Sequence, residues 1–219
     1  MMLNLELARH NMIEQQVRPW DVLDARVLGA LRVLRREDFV PPAQHNLAFA
    51  DLCLPLGHGE VMMKPVLEGR VLQAVLPQTD EDVLEIGTGS GFLTACLARL
   101  AGTVTSVEQH VDLADAARAR LAAAGIASAQ VQTAEAVRAF DPGRTFDVMV
   151  VTGAVYELPR HWRGWIRPGG RIFAIAGQSP VQRAILYACA DDSQWTETAL
   201  FETDLPYLRH AEPPQRFVL

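Results

Sequence analysis

The stretch that most limits what this chain can become is Val83-Leu84-Glu85-Ile86, which breaks into Gly87-Thr88-Gly89-Ser90-Gly91 and resumes as Phe92-Leu93-Thr94-Ala95-Cys96-Leu97-Ala98. An aliphatic run of strand length that ends in glycine and continues with apolar residues at helical spacing reads as the first βα unit of a doubly wound sheet. Glycine permits positive φ and lets a ligand approach the main chain, while the unpaired N–H groups of the new helix point at that ligand. The loop is therefore expected to be a cradle. Glu108 closes the next apolar run, Thr103-Val104-Thr105-Ser106-Val107, and lies 17 positions after Gly91 (residue 108 against residue 91). That is close to the offset at which a carboxylate at the end of the second strand reaches the hydroxyl pair of a ribose. The alternative is a structural βα turn beside a solvated Glu108.

Further strand-length runs recur at Ala129-Gln130-Val131-Gln132, Phe146-Asp147-Val148-Met149-Val150-Val151 and Arg171-Ile172-Phe173-Ala174-Ile175-Ala176, with helix-length intervals between them. An alanine-rich helix over residues 111–124 ends at Gly125, and a helix over 158–166 precedes Arg167-Pro168-Gly169-Gly170. This alternation predicts an α/β fold with a mostly parallel sheet covered on both faces. Residues 183–188 and 195–201 read as two strands with no helix between them, hence an antiparallel pair at the sheet's end. Ahead of the sheet, residues 3–36 read as helical, interrupted at Pro19, restarted with Asp24 as N-cap and stopped at Val40-Pro41-Pro42. An amphipathic helix is expected from about Val66 to Leu76. With 219 residues, 49% of them apolar, the chain suits one domain. Within it, residues 1–80 form a helical layer with a loop, and 81–219 form the sheet. The proline-interrupted segments at 205–208 and 216–219 stay unassigned.

Charge and cysteine usage narrow the function classes. A net charge of −6 argues against a duplex nucleic-acid surface. Cys53, Cys96 and Cys189 are odd in number and lack metal spacing, so they are expected as reduced core thiols without a disulfide framework or metal site. The N-terminus lacks the basic start and apolar core of a signal peptide, and nowhere do 18 apolar residues run together, so a cytoplasmic protein without membrane partners is expected. The sequence says nothing of oligomeric state.

The spacing Gly87-x-Gly89-x-Gly91 differs from the dinucleotide fingerprint, which has two residues between its second and third glycines. It resembles motif I of the S-adenosylmethionine-dependent methyltransferases, with a nicotinamide cofactor as second choice. Several separated stretches then resemble one family. The segment from Asp24 through Glu37-Asp38-Phe39-Val40-Pro41, the loop Leu56-Gly57-His58-Gly59 with Pro65, residues 83–91, Ser106-Val107-Glu108, Phe146-Asp147 to Thr152 with Leu158-Pro159, and Arg167-Pro168-Gly169-Gly170-Arg171 match in type and order. Together they resemble the protein-L-isoaspartate O-methyltransferases over roughly residues 11–177. The resemblance implies a seven-stranded Rossmann-like methyltransferase fold and a repair enzyme that methylates the free carboxylate of isoaspartyl residues. It places Glu85, Gly87, Thr88, Gly89 and Gly91 around the methionine part of S-adenosylmethionine, Glu108 on the ribose, Glu135 near the adenine, and Ser90, Gln109 and Thr152 in the same site. Glu135 is flanked by alanines where the family has glycines, and a carboxylate at a helix start is its other reading.

The acceptor loop departs from the family. Members carry Gly-His-Gly-Gln-Thr-Ile-Ser-x-Pro; this chain has Gly57-His58-Gly59-Glu60-Val61-Met62-Met63-Lys64-Pro65. Val61 and Met63 replace two hydroxyls that would hold the acceptor, and Glu60 adds negative charge. Tyr156 stands where proline is usual. His58, Met63 and Lys64 are the acceptor-side candidates, with Lys64 able to pair with the acceptor carboxylate; a turn histidine, a core methionine and a solvated lysine are the plainer readings. The changed loop leaves two alternatives open: another small-molecule carboxylate or hydroxyl acceptor, or a cofactor-binding protein without turnover.

Overall fold

The computed structural model describes residues 4–191 and 194–214. Helix α1 (Leu5–Met12) begins at Asn4, whose Oδ1 accepts from the Leu7 N–H at 3.1 Å. A π turn and a 3-10 turn carry the chain through Pro19 to Asp21, which ends the run in the left-handed region at φ 62°. Helix α2 (Ala25–Val33) starts as expected at Asp24, whose carboxylate accepts from the Arg26 and Val27 N–H groups. It stops at Val33, short of the predicted end at Val40-Pro41-Pro42, and residues 36–39 form a 3-10 turn. Arg36 accounts for the early stop. Its buried guanidinium turns inward to donate to Glu68 and to the Ala48 and Met63 carbonyls, a course that a continuing helix would not allow.

Residues 54–62 hold the first difference in kind. The predicted loop is a β-hairpin, β1 (Leu54–Gly57) against β2 (Glu60–Met62), with His58-Gly59 as its turn. Gly57 and Gly59 take φ of 103° and 83°, where a side chain would be strained, and His58 itself sits at 54°. Helix α3 (Pro65–Val75) follows, with proline at a first-turn position that has no N–H to lose.

The main sheet comprises β3 (Asp82–Ile86), β4 (Thr103–Glu108), β5 (Ala129–Thr133), β6 (Phe146–Val155), β7 (Ile166–Gln178), β8 (Val181–Cys189) and β9 (Trp195–Thr203). Their order is β5-β4-β3-β6-β7-β8-β9, with the first five parallel and the last two antiparallel, as the C-terminal pair suggested. Helices α4 (Phe92–Leu100) and α5 (Val111–Ala123) follow β3 and β4, and Gly125 lies beyond α5 at φ 69°.

Because strand side chains alternate between faces, each strand feeds two cores. Val83, Val104, Val148 and Phe173 pack toward α2, α3 and α4, while Leu84, Val107, Met149 and Ile172 pack on the other side with Trp162 and Trp165. That second face carries no full helix among the described residues. The helix expected over 158–166 is a 3-10 segment, Arg160–Trp165, entered from Pro159, and residues 134–145 form turns through Asp141-Pro142-Gly143. Two indoles, stacked with centroids 6.1 Å apart, cover the sheet in place of a helix.

Two irregularities prepare the site. In β6 the pairing with β7 jumps from Val150↔Phe173 to Ala154↔Ile175, so Val151, Thr152 and Gly153 lie opposite Ala174 alone and bulge beside the glycine loop. Residues 205–211 then fold back on this bulge: the Ala154 N–H donates to the Pro206 carbonyl at 2.9 Å, and the Leu208 N–H to the Ala154 carbonyl at 2.8 Å. Residues 216–219, and Leu3 at the start of the first predicted helix, fall outside the described residues. Cys96 and Cys189 are buried, but Cys53 is exposed on the irregular approach to β1, contrary to its expected core position. No helix among the described residues is long and apolar enough to cross a membrane, and no group of ligating side chains there could hold a metal ion.

Candidate cofactor and acceptor site

The loop between β3 and α4 turns over the end of β4. The N–H groups of Gly87 and Thr88 both donate to the Val107 carbonyl, at 2.8 and 3.2 Å. Gly87, Gly89 and Gly91 all have positive φ, of 96°, 52° and 86°. A Cβ on Gly87 would run into Thr152 Oγ1, and one on Gly91 would press on Ala117 at 3.2 Å. Thr152 reaches the loop because the β6 bulge lifts it there; its hydroxyl is 2.6 Å from the Gly87 carbonyl and 2.9 Å from that of Ile86. Ser90 Oγ accepts from the Phe92 N–H at 3.2 Å and so helps start α4.

Glu85 lies beneath this loop, not in it. The residue is fully buried, and Thr94 and Ser106 hydroxyls donate to Oε2 at 2.5 and 2.6 Å. Ser106 in turn meets Thr88 at 2.6 Å, so a relay of hydroxyls joins the carboxyl to the loop. Burial pushes the Glu85 carboxyl up from 4.5 to about 7; the Ser106 and Thr94 hydrogen bonds pull against this, and Glu108 adds to it. Expected against the methionine part of a ligand, Glu85 lines neither cavity of the site. Its strand position accounts for that: alternation points it into the protein beneath the turn.

Two clefts, both open to solvent, adjoin over the loop. The first is floored by Gly87, Thr88, Gly89 and Ser90 and walled by Leu56, Val61, Met62, Met63, Thr152 and Gly153, with buried Glu68 at its back. The second is mostly apolar, with Ile86, Val107, Ala134, Ala136 and Val137, and carries Gln109 and Glu135 as polar groups. Glu60, Gly87, Glu108 and Leu208 border both. Glu108 is fixed by the Gly89 N–H at 2.9 Å on Oε2 and the His110 N–H at 3.0 Å on Oε1. Glu60 faces it across the junction, held by Gln109 Nε2 at 3.2 Å and with His110 Nε2 at 3.6 Å. Burial, then the Glu108 charge, push the Glu60 carboxyl up, and His110 pulls it back. Gln109 Oε1 is buried without a partner among the described residues, an acceptor available to a ligand donor. Glu135 accepts from the Val137 and Arg138 N–H groups at 2.7 and 3.0 Å, so it caps a turn and borders the second cavity at once.

Of the three acceptor-side candidates only Met63 reaches a cavity. His58 is carried by the hairpin turn to the outer tip, where its Nε2 lies 3.0 Å from Asp112 and its ring stacks on His110 at 4.1 Å. Lys64 immediately precedes Pro65 of α3, and its ammonium lies 3.9 Å from Asp51, outside both cavities. Conversely, Glu68, Leu208 and Arg209 had no signal in the sequence and line a cavity, as does Leu56 of the acceptor loop. Leu208 packs so closely on the bulge that a Cβ on Gly153 would lie 2.6 Å from it. Glu60 carried a signal, its departure from the family's glutamine.

The sequence pattern described as Protein-L-isoaspartate(D-aspartate) O-methyltransferase matches residues 8–204. A protein-L-isoaspartate O-methyltransferase 1 of Rhodopseudomonas palustris is 37% identical over 178 residues, which is 81% of this chain and 73% of that one. A protein-L-isoaspartate O-methyltransferase of Methanoculleus marisnigri is also 37% identical, over 80% of this chain and 79% of its own. Among solved structures, a Plasmodium falciparum protein-L-isoaspartate O-methyltransferase in complex with S-adenosyl-L-homocysteine superposes with a TM-score of 0.80 over 95% of this chain and 99% of that one. At 16% identity this last likeness speaks for the fold alone.

Proposed function

Because the chain belongs to the protein-L-isoaspartate O-methyltransferase family, we propose that it transfers the methyl group of S-adenosylmethionine to the free carboxylate of L-isoaspartyl residues in damaged proteins. The observation that carries this reading is the pair of adjoining cavities meeting at Glu108 above a glycine floor. They suit an elongated donor with an amino-acid half over Gly87 and Gly89, a diol at Glu108, and a flat base between Ile86, Val107 and Val137. S-adenosylmethionine is the donor, and the residues present fit it: the glycines leave room a Cβ would fill, Glu108 offers a carboxylate to a diol, and Gln109 Oε1 offers a free acceptor.

When bound, the sulfonium supplies a methyl group that an already anionic carboxylate can take directly, with the thioether leaving, so no general base is required. The protein's part is alignment and exclusion of water. Glu108 sets the depth of the adenosine half. Thr152 holds the turn through the Gly87 and Ile86 carbonyls. Met62, Met63, Val61 and Leu56 form the apolar wall beside the methyl-transfer region and keep water from it. Met63 is the hairpin residue assigned to the acceptor side; His58 and Lys64 act, on this reading, only in holding the hairpin. Arg36, bonded to Glu68 of α3 and to the Met63 carbonyl, ties the N-terminal layer to this wall, and Arg171 of β7, donating to the Val75 and Leu76 carbonyls, joins residues 1–80 to 81–219 as one unit. We place the reaction in the cytoplasm, where the reduced cysteines expected from their spacing would persist.

The test is transfer of labelled methyl from S-adenosylmethionine to an isoaspartyl peptide and to its aspartyl twin. Label on the isoaspartyl peptide alone is expected, with Glu108→Ala losing it through weakened donor binding. The apolar wall of Val61 and Met63 also favours a second reading, a different carboxylate or hydroxyl acceptor. Donor binding without label on either peptide would select it.

A further inference from the structure

The two cavities are bordered by carboxylates from opposite sides, and only one of them, Glu108, has a role so far. Glu60 stands on β2 at the other side of the junction, between the cavity over the glycine loop and the cavity beside Glu135. It is not a solvated surface charge. Its side chain is 28% exposed, it accepts from Gln109 Nε2 at 3.2 Å, and the hairpin that carries it is fixed from the far side by His58 against Asp112. Two carboxylates bordering one junction repel, which is why Glu108 stands second only to burial among the causes that raise the Glu60 carboxyl. The charged and titratable groups that face Glu60 are Glu108 at the end of β4 and His110 just after it, with His58 and Asp112 beyond the imidazole. With Glu108 taken up by the diol, a cation at the junction beside Glu60 would offset the repulsion of the two acids; a neutral ligand of the same shape would not.

The methyl donor carries its positive charge at the sulfur that joins its amino-acid half to its adenosine half, and the product left after transfer is the neutral thioether. We propose that Glu60 reads this charge: it is a specificity residue that, together with Glu108, favours the cationic donor over the neutral product and so speeds exchange after each turnover. The inference rests on the donor proposed above. It also gives a purpose to a position where this chain replaces the family's neutral glutamine.

The experiment is titration calorimetry of the full chain with S-adenosylmethionine, S-adenosylhomocysteine and sinefungin, an analogue in which an amine-bearing carbon replaces the sulfonium. Wild-type protein is compared with Glu60→Gln, and Glu60→Ala serves as the second variant if the first does not fold. The expected result is a loss of about tenfold in affinity for the donor and for sinefungin with S-adenosylhomocysteine little changed, the size expected when one charge is removed from a half-buried, partly screened site. Equal changes for all three ligands, or none, would overturn the proposal while leaving the donor assignment intact. Loss for the donor alone, with sinefungin following the neutral product, would overturn it too, by showing contact with the methyl group instead of charge. If neither donor nor product binds the wild-type protein, the donor assignment and this inference fall together.

Discussion

Glu85 offers the sharpest test of how the loop is supported. Its carboxyl is wholly buried, two hydroxyls donate to one oxygen, and the other oxygen has no partner among the described residues. The folded protein therefore holds this proton up to about pH 7, while the unfolded chain releases it near 4.5. The folded state binds more protons than the unfolded state between those values, so stability falls as pH rises through that window and levels off above it. At about 1.4 kcal/mol for each tenfold, the full penalty is about 3 kcal/mol, of which about 2–3 kcal/mol should develop between pH 5 and 8.5. Glu85→Gln keeps an oxygen for Thr94 and Ser106 but cannot ionise. The variant should be less sensitive to pH by that amount, and relative to wild type it should gain most at pH 8.5. Its amide NH2 inherits the unpartnered corner, which costs about 1–3 kcal/mol at every pH, so the informative quantity is the change in the difference between the two proteins. Urea unfolding followed by tryptophan fluorescence at a series of pH values measures it, since the buried Trp162 reports loss of the core. Parallel stability curves for the two proteins across this range would refute the argument.

Gly87→Ala forces a side chain into a positive-φ residue and against Thr152, and should abolish measurable donor binding by calorimetry while costing about 1–3 kcal/mol in a thermal melt. Removing Arg36 as Arg36→Met strands Glu68 in the core and should cost about 3–5 kcal/mol; adding Glu68→Leu should restore much of it, which paired denaturant titrations would reveal. At the start of α2, Asp24→Ala deletes the acceptor for two N–H groups and should lower stability by about 1 kcal/mol with donor affinity unchanged.

The βα unit at residues 83–98 was legible from local pattern, because a strand, a glycine turn and a helix are set by neighbours in the chain. The same holds for Asp24 as a cap and for the antiparallel pair at the sheet's end. Helix-length intervals misled at 134–145 and 158–166, since length does not distinguish a helix from proline-bounded turns anchored by tryptophan. The carboxylate at 108 was found by its spacing from the glycines, which the βα geometry makes nearly constant.

Which side chains meet at the site was a different matter. Glu85 was placed in the ligand's path by motif alone, and strand alternation turned it underneath. His58 and Lys64 lie within five residues of Met63 in sequence, but the hairpin turn carries His58 to the outer tip and the start of α3 leaves Lys64 beside Asp51, outside the cavities. Leu208 and Arg209 arrive from the far end of the chain, on a segment that pairs with the β6 bulge. The amino-acid sequence alone thus determined the parallel sheet, its cradle and the carboxylate at a set distance from it, because those follow from local periodicity and short-range geometry. The tertiary structure alone decided that Glu60 confronts Glu108 and that the C-terminal segment lines the cavities, because such contacts depend on long-range packing that leaves no period or spacing to read.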